Sequence, residues 1–463
     1  MNYEALFARH RDRTVRMGLV GAGQFGATLI AQARAIPQLE IPIVCDRDVE
    51  AARSACRAAG FRQDEIEICD DAATIELAVS GEKLAVVPDA VLLLDMPLDC
   101  IVEATGNPEA GAATAAAAIA HGKHVVMASK EAESVVGPLL AAHARAAGLV
   151  YTAVEGDQPS LLIGLVSWAR LLGLEIICAG KSSEYDFVYD PAQDTVSWKD
   201  ISVAVPDFAG LWTLPEDGVA AAIAERASML REIPQRTVPD LCEMGVVANA
   251  TGLPPDTPDF HVPVARAVEV PQVLCPSADG GILDREGVID VFNCLRRPDE
   301  QSFAGGVFVV VRLPDRQTWS VLKGKGIPVS RRGDYALLYN PSHLLGVEAP
   351  VSILSACLLG LPTGGLEPRP VVDLVARTSC DWRAGEALAI TDHHHHEAAG
   401  LEPLLVDAAP AVEGNPLPYY MATGETLTRN VAKGSVIAAD MVAAPTDSGL
   451  WALRAEQDEH FDL

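Results

Sequence analysis

V-R-M-G-L-V-G-A-G-Q-F-G-A-T-L-I, from Val15 to Ile30, carries an apolar run into three glycines and then into an apolar helical pattern. Gly21, Gly23 and Gly26 stand in G-x-G-x-x-G spacing, the signature of a strand, a tight turn and a helix start. The three glycines serve different physical ends. The first permits the turn, the second lets a pyrophosphate approach the backbone, and the third lets helix and strand pack closely. Gln24 and Phe25 then open the helix, whose free N–H groups and positive dipole end suit phosphates. Such a motif alone is weak, and the flanks strengthen it. L-E-I-P-I-V-C, Leu39 to Cys45, reads as a second buried strand ending in Asp46, placed to accept hydrogen bonds from a ribose. The neighbouring Arg47 leaves NAD and NADP both open, because an arginine there can hold a 2′-phosphate.

Outward from this stretch the chain alternates. An alanine-rich helix, Val49 to Ala59, precedes an acidic patch, Asp64 to Asp71, read as capping and solvating a helix. A strand at Cys100 to Glu103 leads into V-E-A-T-G-N-P, where Thr105 and Gly106 offer a small-residue turn against the nicotinamide ribose. Helix Glu109 to His121, strand His124 to Met127, the turn A-S-K-E-A-E and another helix near Gly148 follow. The alternation predicts an α/β fold, a Rossmann doubly wound parallel sheet with ligands at the carboxyl ends of its strands. After L-V-Y-T-A, V-E-G-D-Q-P, helix Ser160 to Leu172 and strand Leu174 to Ala179, prolines and longer loops predict a central α+β domain. We expect a dinucleotide-binding domain over 1–155 and a central substrate and dimerisation domain over 156–341. A helix returning to the first domain and a linker would span 342–365, and a small β-rich domain 366–463.

The 463 residues suffice for a large core, and 49% are hydrophobic without a long uninterrupted apolar run. With no signal-peptide pattern at the start, the expectation is a cytoplasmic protein. A net charge of −28 disfavours nucleic acid and anionic membrane as partners, so an anionic ligand must meet a local basic pocket. The ten cysteines form no C-x-x-C pair, the pattern of reduced, buried thiols.

Four places at predicted strand ends could carry chemistry. Lys130, in M-A-S-K-E, would lie near the nicotinamide, where an ammonium polarises a carbonyl or passes a proton. Its alternative is a solvated lysine at a helix start, poorly placed against the dipole. Glu155 and Asp157, in V-E-G-D-Q-P, could converge on one hard cation or hold a hydroxylated substrate, or simply cap the next helix. Lys181 could bind phosphate or carboxylate, with Glu184 as its partner or as a third metal ligand beside Glu155 and Asp157; an exposed salt-bridging loop explains them equally well. Asp240, Glu243 and Asn249 lie on a helix in P-D-L-C-E-M-G-V-V-A-N that is read first as merely amphipathic. His393 to His396 read as a solvated loop remote from the nucleotide domain, and Lys323 and Lys325 as a plain turn.

G-A-G-Q-F-G, V-E-A-T-G-N-P, V-V-M-A-S-K-E-A-E and E-G-D-Q-P, in this order, resemble the homoserine dehydrogenase-like oxidoreductases that carry a C-terminal SAF domain. E-M-G-V-V-A-N-A-T-G-L, G-V-I-D-V-F-N and L-L-Y-N-P-S-H-L continue the resemblance, and R-N-V-A-K-G-S-V-I-A-A-D-M-V, Arg429 to Val442, is similar to a SAF strand-turn-strand. The group includes deoxyxylulose phosphate reductoisomerase-like enzymes of isoprenoid synthesis, which use NADPH and a divalent metal. The resemblance implies a reductase of a small carbonyl substrate, here a sugar phosphate, with NADP as cofactor and NAD as the alternative. It further implies magnesium or manganese on the Glu155-Gly156-Asp157 loop, to which we add Glu184 as a third ligand, and we expect Lys130, Glu155, Asp157 and Lys181 as catalytic residues. Lys130 matches the lysine of the A-N-K motif of homoserine dehydrogenases. Glu155-Gly156-Asp157 stands where the ordinary reductoisomerases have Asp-Ser-Glu, with the acids inverted. A homoserine dehydrogenase-like activity on a hydroxy acid or semialdehyde, and a dinucleotide-binding regulator without turnover, are the other readings.

Overall fold

The structure, a computed structural model, describes residues 2–312, 315–391 and 396–463. Seven parallel strands form the first sheet: β1 (Val15–Val20), β2 (Leu39–Cys45), β3 (Ile66–Ile68), β4 (Leu84–Val87), β5 (Cys100–Glu103), β6 (His124–Met127) and β7 (Tyr151–Ala153). Their order is β3-β4-β2-β1-β5-β6-β7. From β1 the chain passes to β2 and the edge strand β3, returns to place β4 between them, and then crosses back to β5, so the direction of winding reverses between β1 and β5. A crevice opens at such a reversal, outside the carboxyl ends of the strands. β2 bulges against β1 because Pro42, without an N–H, cannot join the ladder; pairing slips from Arg16–Glu40 to Gly18–Ile43. The acidic patch is not only a helix cap: Ile66–Ile68 within it forms edge strand β3, while Asp71 caps helix Ala72–Ser80 through the Thr74 N–H at 2.8 Å.

The second sheet is built around β8 (Glu175–Asp190), joined by β9 (Thr195–Trp198), β10 (Ile201–Ala204), β11 (Val264–Ala265), β12 (Val288–Arg296), β13 (Val307–Arg312) and β14 (Tyr335–Asn340). β8 pairs parallel with β12 and antiparallel with β13 and β9. This decides against the exposed loop that was one of the two readings of Lys181 and Glu184, because the strand runs straight through both. Lys181 tolerates a buried strand position only because acids from another element neutralise it. Helices Gln158–Leu171 and Val238–Thr251 join the two sheets. The returning helix begins at Ala349, with Pro350 in its first turn, rather than at Ser342, and packs Ile353, Cys357 and Leu358 into the core beside β1.

The last region has one antiparallel pair, β15 (Val372–Thr378) with β16 (Leu401–Asp407), and single bridges such as Arg377–Val436 and Leu427–Val442. Besides this β structure the region carries a helix, Gly449–His460, that lies on the first domain. Pro138 lacks the N–H to continue helix Lys130–Ala146, and that helix opens at this point. The Gln457 amide fills the gap, donating to Val135 O at 2.8 Å and accepting from Leu139 N at 3.2 Å. The last helix is thereby spliced into the one that begins with Lys130. All ten cysteines are free, and nine are buried.

Candidate active site

The glycine turn is built as its spacing predicts. Gly21 has φ +99, and a Cβ there would lie 2.4 Å from Ala104 O on the neighbouring strand's extension. A Cβ on Gly26 would lie 2.1 Å from Gly21 O, whereas one on Gly23 would meet nothing within 4 Å. Two glycines are therefore required for packing, and the third faces open space. Helix Gln24–Ala33 starts there without a side-chain cap, which leaves its first N–H groups available. A cleft of about 920 Å³ extends from this turn, lined by Asp46, Arg47 and Asp89 at one end and by Thr105, Asn107 and the helix after them at the other. Asp46 is fixed, accepting from Ala22 N at 2.8 Å and Asp48 N at 2.9 Å. A glycine open to a cleft, an uncapped helix and an oriented acid fit a dinucleotide.

Glu103, which no sequence motif singles out, ties the cleft to the chemistry beyond it. It is wholly buried at the end of β5 and accepts from Thr105 N at 3.0 Å. Burial pushes its carboxyl above the usual range. Gly106 N donates to Ser129 Oγ at 2.8 Å, joining the turn after β5 to the turn after β6. The available signal was an acid closing the apolar strand C-I-V-E, where nothing apolar explains it.

Lys130 follows Ser129 as the first residue of its helix. Its ammonium pairs with Glu243, which also pairs with Lys181. Lys181 contacts Asp240 at 2.7 Å, and Asp240 accepts from Ser183 Oγ at 2.6 Å. Asp240 and Glu243 are i, i+3 on one helix, so they share a face and meet both lysines together. Glu243, Lys181 and Asp240 are each about 95% buried or more, while the Lys130 side chain keeps 23% exposure and is the open member. Asp157 lies beside Lys130 in a small void and accepts from Gln158 N at 2.9 Å.

The charges follow from this geometry. Burial raises the Glu243 carboxyl, but Lys130 and Lys181 overturn that and hold it at about 2. Burial likewise works against the Lys130 ammonium, and Glu243, then Asp157, outweigh it and keep it well above the ordinary lysine range. Lys181 is raised in the same way by Asp240 and Glu243. Asp157 is raised by burial and then by Glu243.

Several expectations need correction. Glu155, Asp157 and Glu184 do not meet. Glu155 turns to Ser160 Oγ at 2.6 Å and toward Glu348, Asp157 faces Lys130, and Glu184 sits within β8. Among the described residues no group of three or more His, Cys, Asp or Glu side chains is disposed to hold a metal. The three acids do not fit a resident cation. Lys181 takes Asp240 and Glu243 as partners, not Glu184. Asn249 lies outside the cluster, accepting at Oδ1 from Val371 N at 2.7 Å and Val372 N at 2.9 Å where the chain enters β15. Of the histidine run, His393 to His395 lie outside the described residues. His396 is not remote from the nucleotide domain: its Nε2 is 3.4 Å from Glu131 Oε1, next to Lys130. Lys323 closes helix Arg316–Lys323 and only Lys325 lies in a turn; both are exposed.

Residues 18–153 match the family described as "Homoserine dehydrogenase, NAD binding domain", and residues 156–349 match "Oxidoreductase DRL, catalytic domain". The part similar to the NAD-binding family carries the cleft, and the part similar to the DRL catalytic family supplies Lys181, Asp240 and Glu243. No curated protein matches the chain. Among solved structures, myo-inositol dehydrogenase from Lactobacillus casei with NAD(H) and myo-inositol is 18% identical, covering 37% of this chain and 47% of its own, with TM-score 0.27. The WlbA dehydrogenase from Bordetella pertussis with NADH and UDP-GlcNAcA is 21% identical over 39% and 48%, TM-score 0.27. A DOX-P reductoisomerase in complex with magnesium is 16% identical over 37% and 47%, TM-score 0.28. The chain spans about half the length of these structures. Among the described residues no helix is long and apolar enough to cross a membrane.

Proposed function

We propose that the chain reduces a small polar carbonyl compound, with Lys130 delivering the proton to the carbonyl oxygen. The observation that carries this reading is the Lys130 ammonium, the open end of a buried ion cluster, reached from the cofactor turn through the Gly106–Ser129 hydrogen bond. The bound nicotinamide supplies the hydride. Glu243, ionised far below neutrality, keeps Lys130 charged and aimed, and Lys181 with Asp240 keeps Glu243 in place. A preorganised cation at a developing alkoxide is a large contribution to catalysis because it needs no reorganisation. Asp157, oriented by Gln158 N, stands ready to accept a hydrogen bond from a substrate hydroxyl.

On substrate, the resemblance points to deoxyxylulose 5-phosphate and metal. The geometry favours the homoserine dehydrogenase-like alternative, a small hydroxy acid or semialdehyde. Lys130 and Lys181 are already paired with acids, so a dianionic phosphate would have to displace a carboxylate from one of them. The expected cofactor is NAD: Asp46 is fixed at the rim and Asp89 lines the same end, and both would repel a 2′-phosphate more than the exposed Arg47 attracts it. Purified protein should oxidise NADH with aspartate semialdehyde and leave deoxyxylulose 5-phosphate untouched with or without manganese. Turnover of the sugar phosphate would reverse the substrate assignment, and an unchanged rate in Lys130→Ala would end the proposed role of Lys130.

A further inference from the structure

Glu133 has no part in the cluster just described, yet three elements are arranged around it. It stands one turn after Lys130 on the same helix face. Its carboxylate accepts a hydrogen bond from the Tyr151 hydroxyl of β7. Gly137, one turn further on, lacks the Cβ that would come within 2.7 Å of the Glu133 carboxyl carbon. An acid is accommodated where a leucine would pack.

A small void lies on each side of this carboxyl. The first is lined by Lys130, Asp157, Val246 and Glu133 and has about 10 Å³ for a water centre. The second, of about 10 Å³, is lined by Glu133, Tyr151, Ala250, Gly365 and Pro368. Each is close to the space that one water needs, and both have polar groups to bind it. Gly365 belongs to the half-exposed linker before β15, which places the second void next to that linker.

We propose that Glu133 is a relay residue, returning to Lys130 through one void the proton that Lys130 has given to the substrate oxygen, and refilled from the linker side through the other. This rests on the reading of Lys130 as the proton donor. Carbonyl reduction consumes one proton per turnover. The neutral Lys130 amine left behind takes the proton of the Glu133 carboxyl, and the resulting carboxylate takes one from solvent, so the site returns to its starting state. Burial pushes Glu133 up to about 7, against the opposing Tyr151 hydrogen bond, which lets it both give and take a proton near neutrality. Tyr151 from β7 is its hydrogen-bond partner; Lys130 from its own helix and Asp157 from the loop after β7 line the first void with it, and helix Val238–Thr251 and the linker bring Val246, Ala250, Gly365 and Pro368 to the two voids.

Glu133→Gln keeps the shape and the acceptor for Tyr151 while removing the titration. In cofactor-free full-length protein labelled at the glutamate carboxyl carbon, two carboxyls should titrate near 7, since Glu131 is also pushed up to about 7. One resonance should vanish in Glu133→Gln and the other in Glu131→Gln. Tyr151→Phe, lacking the hydroxyl that holds Glu133 down, should move its midpoint upward, and it serves as the second variant if Glu133→Gln does not fold. With a carbonyl substrate on which Lys130→Ala is inactive, Glu133→Gln should lower kcat by about 10- to 100-fold at pH 8 with KM unchanged, and imidazole buffer should restore part of it. A Glu133 resonance that titrates below pH 5, or a folded Glu133→Gln whose kcat–pH profile superimposes on that of the parent, would overturn the relay. Full activity of Lys130→Ala would instead remove the reading beneath it.

Discussion

The cofactor cleft and the lysine cluster lie side by side in the molecule and are built in opposite ways. The cleft is made of backbone and small residues at the carboxyl ends of β1, β2, β4 and β5, Gly21 and Gly23 among them, with Asp46 at its rim, and it is open. The cluster draws Lys130, Asp157, Lys181, Asp240 and Glu243 from separate elements, and all of them except Lys130 and Asp157 are sealed from water. A cleft that binds through N–H groups and shape needs space and a tight turn. A cluster that must hold charge at a reacting atom needs low dielectric, and therefore burial with every charge paired. Lys130 stands at the join: Ser129 before it accepts from Gly106 N, between the cleft residues Thr105 and Asn107, and the Lys130 side chain enters the cluster.

The sharpest way to break this division is Lys130→Ala. It should lower turnover by about a thousandfold while leaving cofactor affinity, measured by nucleotide fluorescence titration, unchanged. A matched loss of cofactor binding would show that the two regions are one. Glu243→Gln should act on stability, costing roughly 3–5 kcal/mol in urea unfolding, because the buried Lys181 and the partly exposed Lys130 lose their shared counter-charge. The same variant should lose an acid limb. In the parent, Glu243 is held at about 2, below the ordinary value of 4.5. Its contribution is therefore complete above about pH 4.5 and lost as pH falls toward 2. Glu133 acts in the reverse sense: raised to about 7, it favours the fold below pH 4.5, and that share is lost as pH rises through 7. Glu133→Gln should accordingly gain stability relative to the parent at pH 8 compared with pH 5.

Gly21→Ala tests the cleft alone. At φ +99, with Ala104 O 2.4 Å from the new Cβ, the turn must shift, and cofactor affinity should fall roughly a hundredfold, while Glu131 and Glu133 keep their titrations. Gln457→Ala should cost about 1–3 kcal/mol by leaving Val135 O and Leu139 N without their inserted amide, with faster hydrogen exchange along the Lys130 helix. The smallest effect is expected from Asp46→Ala, about a tenfold weaker hold on NAD with NADP less affected, read from the two dissociation constants.

How much was legible follows the same division. The strand ends Asp46, Thr105 and Lys130 could be read because each sits beside a local pattern that has one structural solution. Asp240 and Glu243 were visible as acids on a helix, but their i, i+3 spacing fits any amphipathic helix. Only the burial of that face beside β8 gives them lysines to hold. Glu155 and Asp157 look like a pair because they are two apart, yet the positive φ of Gly156 turns the chain between them and one carboxyl leaves for Ser160. The C-terminal helix and His396 escape a sequence reading for a related reason: distance in sequence says nothing about Gln457 filling a gap that Pro138 opened more than three hundred residues earlier.

By itself the sequence determined the glycine turn, the parallel sheet and the lysine at the end of β6, because backbone stereochemistry and the period of apolar residues act over a few neighbours. Tertiary structure alone decided which carboxylates became counter-ions, which became buried acids near neutrality, and that three candidate metal ligands point apart. Charge and protonation depend on what lies within a few ångströms across elements, and no spacing along the chain encodes that.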